Sequence, residues 1–258
     1  MELTKEEYSK LMKRLDDLDL ETRRAKAVNE CSNLACRYFW YHATFRDDLI
    51  ISENMWAKKS PDIHAEYGYS GVYEGYDHVI QFNQGRPTPP GKMLFHALDT
   101  PVIEVAEDCQ TAKGVWLLHG AEGGSVPEGT LPEAALTKEP GLNGTRTWAH
   151  WTWAKLAIDF IVEDGEWKIW HFHLYDYCRC PFDSDPINFM MRDADNSTQA
   201  DKDGHPVKYY DEKGNVVYME KADAPSTYTW HFDGLTSRSE LVPRPPLKYR
   251  TFKETTSF

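Results

Sequence analysis

The chain has 258 residues, a formal net charge of −12 and 41% hydrophobic residues. That size and apolar content suit one large domain, or one domain with an appendage. The acidic balance argues against nucleic acid and anionic membranes as partners, and no apolar run approaches the roughly 20 residues that a bilayer span needs.

Residues 1–20 are charged and lack the apolar core of a signal peptide, so a cytoplasmic protein is expected. The cysteines (Cys31, Cys36, Cys109, Cys178 and Cys180) form an odd set without a disulfide-framework spacing, which predicts reduced thiols. Aromatic residues make up 13% of the chain, with nine Trp. They serve either a large aromatic core or an aromatic-lined ligand cavity.

Met1 to Leu20 has a helical pattern with Leu11, Leu15 and Leu18 on one side. A second helix is expected from Glu21 to His42, with Val28, Cys31, Leu34, Ala35, Tyr38, Tyr41 and His42 on its inward face. Thr44 with Asp47 resembles a capping box, opening a third helix that carries Leu49, Ile50 and Trp56 and stops near Pro61. Ile63 to Tyr73 reads as a strand pair around Gly68 and Gly71, and Tyr76 to Asn83 as a short helix.

Gly85 to Gly91 is a Pro/Gly loop, followed by strand-rich runs at Met93–Ala106 and Ala112–His119. Gly120 to Gly144 reads as a long loop, either a lid or an insertion. Thr147 to Val162 is a long strand, and Asp164-Gly165 turns it into the next. Beyond Pro181 come a polar stretch, a small hairpin over Lys208–Met219 turning at Lys213-Gly214-Asn215, and an extended Pro-rich arm of the kind that wraps a partner subunit.

Four segments carry a family resemblance. Gly71-Val72-Tyr73-Glu74-Gly75 with Ile80 resembles the G-x-Y-x-G step of the SnoaL-like proteins, in the nuclear transport factor 2-like superfamily. Val102–Asp108 and Ala112-Lys113-Gly114 resemble the family's third and fourth strands, and Asp164-Gly165-Glu166-Trp167-Lys168-Ile169 its D-G-x-W-[KR]-I hairpin. The resemblance spans about Glu21 to Phe182. It implies an α+β fold: a cone of strongly curved antiparallel sheet packed on N-terminal helices, open at one end to an apolar pocket. Residues 1–20 are then a helical extension, 21–182 the domain, and 183–258 a C-terminal extension of small hairpin plus arm. The family includes dehydratases, isomerases, cyclases and a cofactor-free lyase that removes formaldehyde from lignin-derived diarylpropanes. It also includes members that only bind ligands.

Several residues could carry such chemistry. His96 resembles a pocket histidine of the dehydratases, and an imidazole exchanges protons near neutral pH. On strict alternation Trp167, Ile169, His171 and His173 share one face of a strand, aiming both imidazoles into an apolar pocket. The dehydratase resemblance places Tyr41 and Asp47 at the pocket mouth, as hydrogen-bond donor and as base or orienting group; Asp47 also fits a plain helix N-terminus. Tyr38, Trp56, Trp116, His64, His119, His150 and Arg179 complete the expected substrate-binding set. Alternation puts His150 with Thr152, Leu156, Ile158 and Phe160 on the pocket side, and Trp151, Trp153, Lys155 and Asp159 outward. His78, His205 and His231 read as surface or appendage residues.

Metal is a competing use of the paired histidines. Gly165-x5-His171-x-His173 mimics the start of a cupin site, but Tyr177 and Cys178 stand where that pattern needs Glu. Cys178-x-Cys180 is tighter than the usual zinc spacing. No metal and no cofactor is therefore expected. There is also no nucleophile elbow, no H-E-x-x-H and no phosphate loop. The expected activity is a cofactor-independent lyase that dehydrates or deformylates an aromatic small molecule by histidine acid–base catalysis, acting as a homodimer or higher homo-oligomer. The alternatives are a non-catalytic ligand-binding protein, an isomerase or cyclase, or a metal enzyme using His171 and His173.

Overall fold

The computed structural model describes residues 4–68, 70–84, 91–129, 136–138, 141–185, 187, 203, 205, 207–210, 215–228 and 235–258. The two helices expected before His42 are one, α1 (Lys5–Ala43). Nothing between Leu20 and Glu21 breaks helical geometry, and a capping box between Thr4 and Glu7 fixes the start. Ala27, Cys31, Ala35 and Tyr38 recur at helical spacing and are buried against the sheet. Thr44 caps the helix C-terminus, and Phe45 takes a left-handed φ of 57°, turning the chain sharply into α2 (Asp47–Ser52).

The predicted capping box at Thr44 is absent. Arg46 is the N-cap of α2 and makes no side-chain cap bond, while the Thr44 hydroxyl donates back to the carbonyl of Trp40. Trp56 is not helical either; it bridges to Ile169 and is fully buried. A tryptophan paired to a strand edge fills the core better than a further helical turn would.

Next come β1 (His64–Tyr67), β2 (Gly71–Glu74), the short α3 (Tyr76–Val79) and a 3-10 turn over Ile80–Asn83. Four long strands follow: β3 (Lys92–Val105), β4 (Thr111–Pro127), β5 (Thr145–Glu163) and β6 (Glu166–Pro181). The sheet order is β2-β1-β6-β5-β4-β3, antiparallel except for the parallel pair β1–β6. Asp164 and Gly165 both adopt positive φ, 53° and 83°, making the tight β5–β6 turn.

Much of the expected loop at Gly120–Gly144 is strand, since β4 runs on to Pro127. Gly120 makes that possible. A Cβ there would sit 1.9 Å from the carbonyl oxygen of Phe95 and 2.6 Å from the His96 ring, so only glycine lets β3 and β4 close beside His96. Residues 130–135 and 139–140, the 85–90 loop, residues 193–202, the Lys213-Gly214 turn and His231 lie outside the described residues.

β6 carries two bulges. Opposite β5, Asp159 pairs with His171 but Phe160 with Ile169, so Trp170 is an extra residue; Tyr177 is extra in the same way between Cys178 and Asp176. Each bulge reverses the face on which the following residues lie. The core lies between α1 and the inner face of the sheet, with Trp116, Leu156, Ile158, Phe160, Ile169, Phe172 and Leu174 packed under Tyr38, Phe39 and Trp56.

The C-terminal extension, with its small hairpin β7 (Val207–Tyr210) and β8 (Val216–Tyr218), returns to its own sheet. Ala224 bridges to Val72, Glu66 accepts hydrogen bonds from Ser226 and Thr227, and Lys155 donates to the carbonyl of Val242. Near the end of the arm, Thr111 meets Tyr249, Lys113 donates to Thr256, and the Phe258 N–H donates to Asp159. The arm expected to wrap a partner thus covers the outer face of its own fold. Among the described residues, no helix is long and apolar enough to cross a membrane.

Candidate functional site

The inner face of the sheet gathers two histidine–carboxylate pairs. The first forms where α1 turns into α2. His42 is on the last turn of the buried stripe, and the left-handed Phe45 folds the chain back so that Asp47 reaches it. His42 Nδ1 lies 2.7 Å from Asp47 Oδ1, and the Asp47 side chain is fully buried. Asn83 Nδ2 reaches both the Tyr38 hydroxyl, at 3.3 Å, and Asp47 Oδ1, at 3.4 Å. The other carboxylate oxygen, Oδ2, has no partner among the described residues.

The second pair joins β3 to β4. His96 pairs across the sheet with Gly120, and its Nε2 lies 3.0 Å from Glu122 Oε1. Two further inward groups converge on Glu122: His150 Nε2 at 3.5 Å from Oε2, and Arg179 at 3.7 Å from Oε1. Arg179 Nε also lies 3.6 Å from Asp176. Burial alone would raise the Glu122 carboxyl, but the Arg179 charge and the contacts from His150 and His96 hold it well below the usual carboxylate range. Burial also lowers the proton affinity of His96, against the opposing pull of Glu122. The result is an ionised carboxylate beside a neutral imidazole at neutral pH.

The pairs face each other. The His42 and His96 rings stack with centroids 5.6 Å apart and 29° between planes. His42 Nδ1 faces the Asp47 carboxylate; neutral His96 donates Nε2–H to the ionised Glu122 and keeps a lone pair on Nδ1. Tyr38, Phe39 and Phe172 form an aromatic wall beside them, with Phe39 and Phe172 at 6.4 Å and near parallel. Side-chain exposure grades from 32% at Arg179 and 23% at His150 to 7% at His96, so the buried groups adjoin partly exposed ones. Such an arrangement can take a proton from a bound molecule and return one nearby.

His171 and His173 do not join this set. The Trp170 bulge turns them to the outer face while Phe172 points inward, so Ile169 and the two histidines do not share a face as strict alternation predicted. His171 Nδ1 is 2.9 Å from Asp159, which also pairs with Lys113. Burial lowers the proton affinity of both His171 and Lys113. His173 lies 3.1 Å from Glu66 and stacks on Tyr175 at 3.6 Å. Glu66 is held down at about 2: burial would raise it, but His173, Ser226 and Thr227 bond to the charged form. Both clusters lie under the C-terminal arm.

Other expected residues also fall elsewhere. The Tyr41 hydroxyl donates to Glu53 at 2.7 Å on the surface, which raises its pKa. His119 faces outward and half-exposed, paired with Asp99 at 2.7 Å. β4 continues past it and alternation takes it off the inner face. His64 stacks on His171 at 4.3 Å, contacts the Phe258 carbonyl, and lines a surface cleft with Lys58, Asp62, Glu74 and Tyr76. Trp116 is core, packed edge-on against Phe160, and Trp56 is core against Tyr38 and Phe172. Tyr38, Asp47, His96, His150 and Arg179 are the expected residues brought together. His42, Asn83 and Glu122 complete the site without having been singled out for it. For His42 the signal was its place on the buried stripe, five residues before an aspartate.

Among the described residues, no group of three or more His, Cys, Asp or Glu is arranged to hold a metal ion. The SnoaL-like domain family matches residues 23–173. No curated protein matches the chain. Similar solved structures include a proposed scytalone dehydratase from Novosphingobium aromaticivorans, at 12% identity over 62% of this chain and 89% of that one, with a TM-score of 0.44. A hexachlorocyclohexane dehydrochlorinase, LinA type 3 from Novosphingobium barchaimii, matches at 13% identity over 64% of this chain and 97% of that one, with a TM-score of 0.46. A nuclear transport factor 2-like protein from Salmonella enterica matches at 15% identity over 59% and 92%, with a TM-score of 0.42.

Proposed function

The chain belongs to the SnoaL-like domain family, and from its inner-face site we propose that it is a cofactor-independent lyase acting on a hydroxylated aromatic small molecule. The observation that carries this reading is the stacked His42–His96 pair, each imidazole backed by its own buried carboxylate. In a dehydration, one imidazole takes the proton from carbon, the C–O bond breaks, and the departing hydroxyl takes a proton to leave as water. In a deformylation, the imidazole takes a hydroxyl proton, the C–C bond breaks to release formaldehyde, and the carbanion is reprotonated. Either reaction moves one proton out and one in, which two facing imidazoles can do.

Burial keeps His96 neutral, the form a base requires. Glu122 and Asp47 hold the ring orientations and stabilise whichever imidazolium forms. Arg179 and His150, more exposed, are placed to meet developing negative charge on substrate oxygen. The wall of Tyr38, Phe39 and Phe172 supports an aromatic substrate. All five thiols are free, which fits action in the reducing cytoplasm.

The test is incubation with a panel of hydroxylated aromatics that includes diarylpropane diols, scored by mass spectrometry. Loss of water or formaldehyde that disappears in His42→Gln and His96→Gln is the expected result. Thermal stabilisation by a panel compound with no mass change would replace the lyase with a binding protein. Undiminished turnover in the folded double variant would overturn the assignment of these histidines.

A further inference from the structure

The first turns of α1 stand clear of the domain. Every residue from Thr4 to Asp19 is exposed; partial burial starts at Leu20, and Arg24 meets the sheet at Val105. At 1.5 Å per residue those sixteen residues project about 24 Å. A bare helix of that length is marginal in water. Yet this one is built with a capping box at Thr4 and a Lys10–Glu6 pair, and it carries an apolar stripe. Tyr8, Leu11, Leu15 and Leu18 are 56%, 45%, 49% and 49% exposed. Their spacing of three, four and three residues is that of the a and d positions of a heptad. The stripe faces away from the domain: Leu18 and Leu20 are about 200° apart around the helix, and Leu20 continues the line of Arg24, Ala27 and Cys31 that meets the sheet.

We propose that this stripe is a homodimerisation seam, in which the α1 helices of two copies of this chain form a short parallel coiled coil. The flanking charges select the partner and its direction. With Tyr8 and Leu15 at a, Arg14 and Glu21 fall at g, and Asp19 and Lys26 at e. In a parallel pair each g residue meets the e residue five positions on, so Arg14 faces Asp19 and Glu21 faces Lys26 of the other copy; both contacts are attractive. An antiparallel pair would set Glu7 against Glu21 and Arg14 against Arg14, leaving one attractive contact, Lys5 with Asp19. The two domains lie on opposite outer sides of the parallel pair, since each stripe points away from its own sheet.

Sedimentation velocity of the full chain tests this. The native protein is expected to dimerise, and Leu11→Glu/Leu15→Glu to weaken the dimer at least tenfold without changing the melting transition of the domain. Arg14→Glu is expected to weaken it less, and adding Asp19→Lys to restore it. In a Cys36→Ser background, Leu18→Cys is expected to form an interchain disulfide under mild oxidation, since like d positions meet only in the parallel pair. A monomeric native protein, an assembly indifferent to Leu11→Glu/Leu15→Glu, or cross-linking of Leu18→Cys only to Tyr8→Cys would overturn the proposal.

Discussion

The two faces of the sheet carry nearly the same chemistry and differ in what lies over them. On the inner face, His96 meets Glu122 and His42 meets Asp47. On the outer face, His171 meets Asp159 and His173 lies beside Glu66. The outer clusters are sealed. Asp159 also holds Lys113 and the Phe258 amide, Glu66 holds Ser226 and Thr227, and side-chain exposure there is 0–7%. The inner set grades outward through His150 and Arg179. A histidine–carboxylate pair is therefore no sign of catalysis by itself. Here one set pins the arm to the sheet, and the other adjoins the partly exposed side chains of His150 and Arg179.

This contrast is open to direct attack. The largest effects are expected from the inner face. His96→Gln should lower kcat/KM by roughly 10²–10⁴-fold, the usual contribution of a general base, with the urea midpoint nearly unchanged. On the outer face, Asp159→Ala should leave Lys113 and His171 buried without their partner and cost about 3–5 kcal/mol in urea unfolding, while the folded fraction keeps its turnover. Glu66→Gln keeps the shape of the site but weakens charge-assisted bonds to Ser226 and Thr227. It should cost about 1–3 kcal/mol and speed proteolysis of the arm.

Buried groups on both faces also make stability depend on pH. His96 and His171 have folded proton affinities below that of an ordinary imidazole, about 6.5, so the unfolded chain protonates them first. Through these two groups stability should be flat above that pH and fall as pH drops through it. Glu66, at about 2 in the fold against 4.5 unfolded, adds a second loss between those values, and Glu122 contributes in the same direction. Urea midpoints measured from pH 8 to pH 3 check both windows; stability that rose on acidification would contradict the burial of these groups. The smallest effect belongs to Tyr41→Phe, which removes only a surface hydrogen bond to Glu53. It should change stability by less than about 0.5 kcal/mol and leave turnover intact.

Local chemistry made much of the fold legible. The Asp164-Gly165 turn, the strand pair around Gly68 and Gly71, and the alternation that turns His150 inward all follow from turn preference and period. Alternation held along β5 because both bulges lie on β6. It failed along β6 because one extra residue, Trp170, reverses the faces from His171 to Asp176, until the second extra residue, Tyr177, restores them, and neither leaves a mark in composition. The His42–Asp47 pair depends on a single left-handed residue, Phe45, at which glycine or asparagine would be the expected choice. Glu122 was hidden in a glycine-rich run that reads as loop. Its strand becomes intelligible only once Gly120 is seen to be required for the close passage of β3. Helix continuity across Leu20 was obscured by the change in pattern where α1 leaves the domain.

The most direct test sets the two faces against each other in one assay. Turnover of the aromatic panel would be compared for His96→Gln and His171→Gln, each checked for folding by circular dichroism. His96→Gln is expected to lose turnover at native-like stability, whereas His171→Gln is expected to keep turnover and lose stability. Turnover lost in a folded His171→Gln protein and retained in His96→Gln would contradict this expectation, and would move the chemistry to the face under the arm.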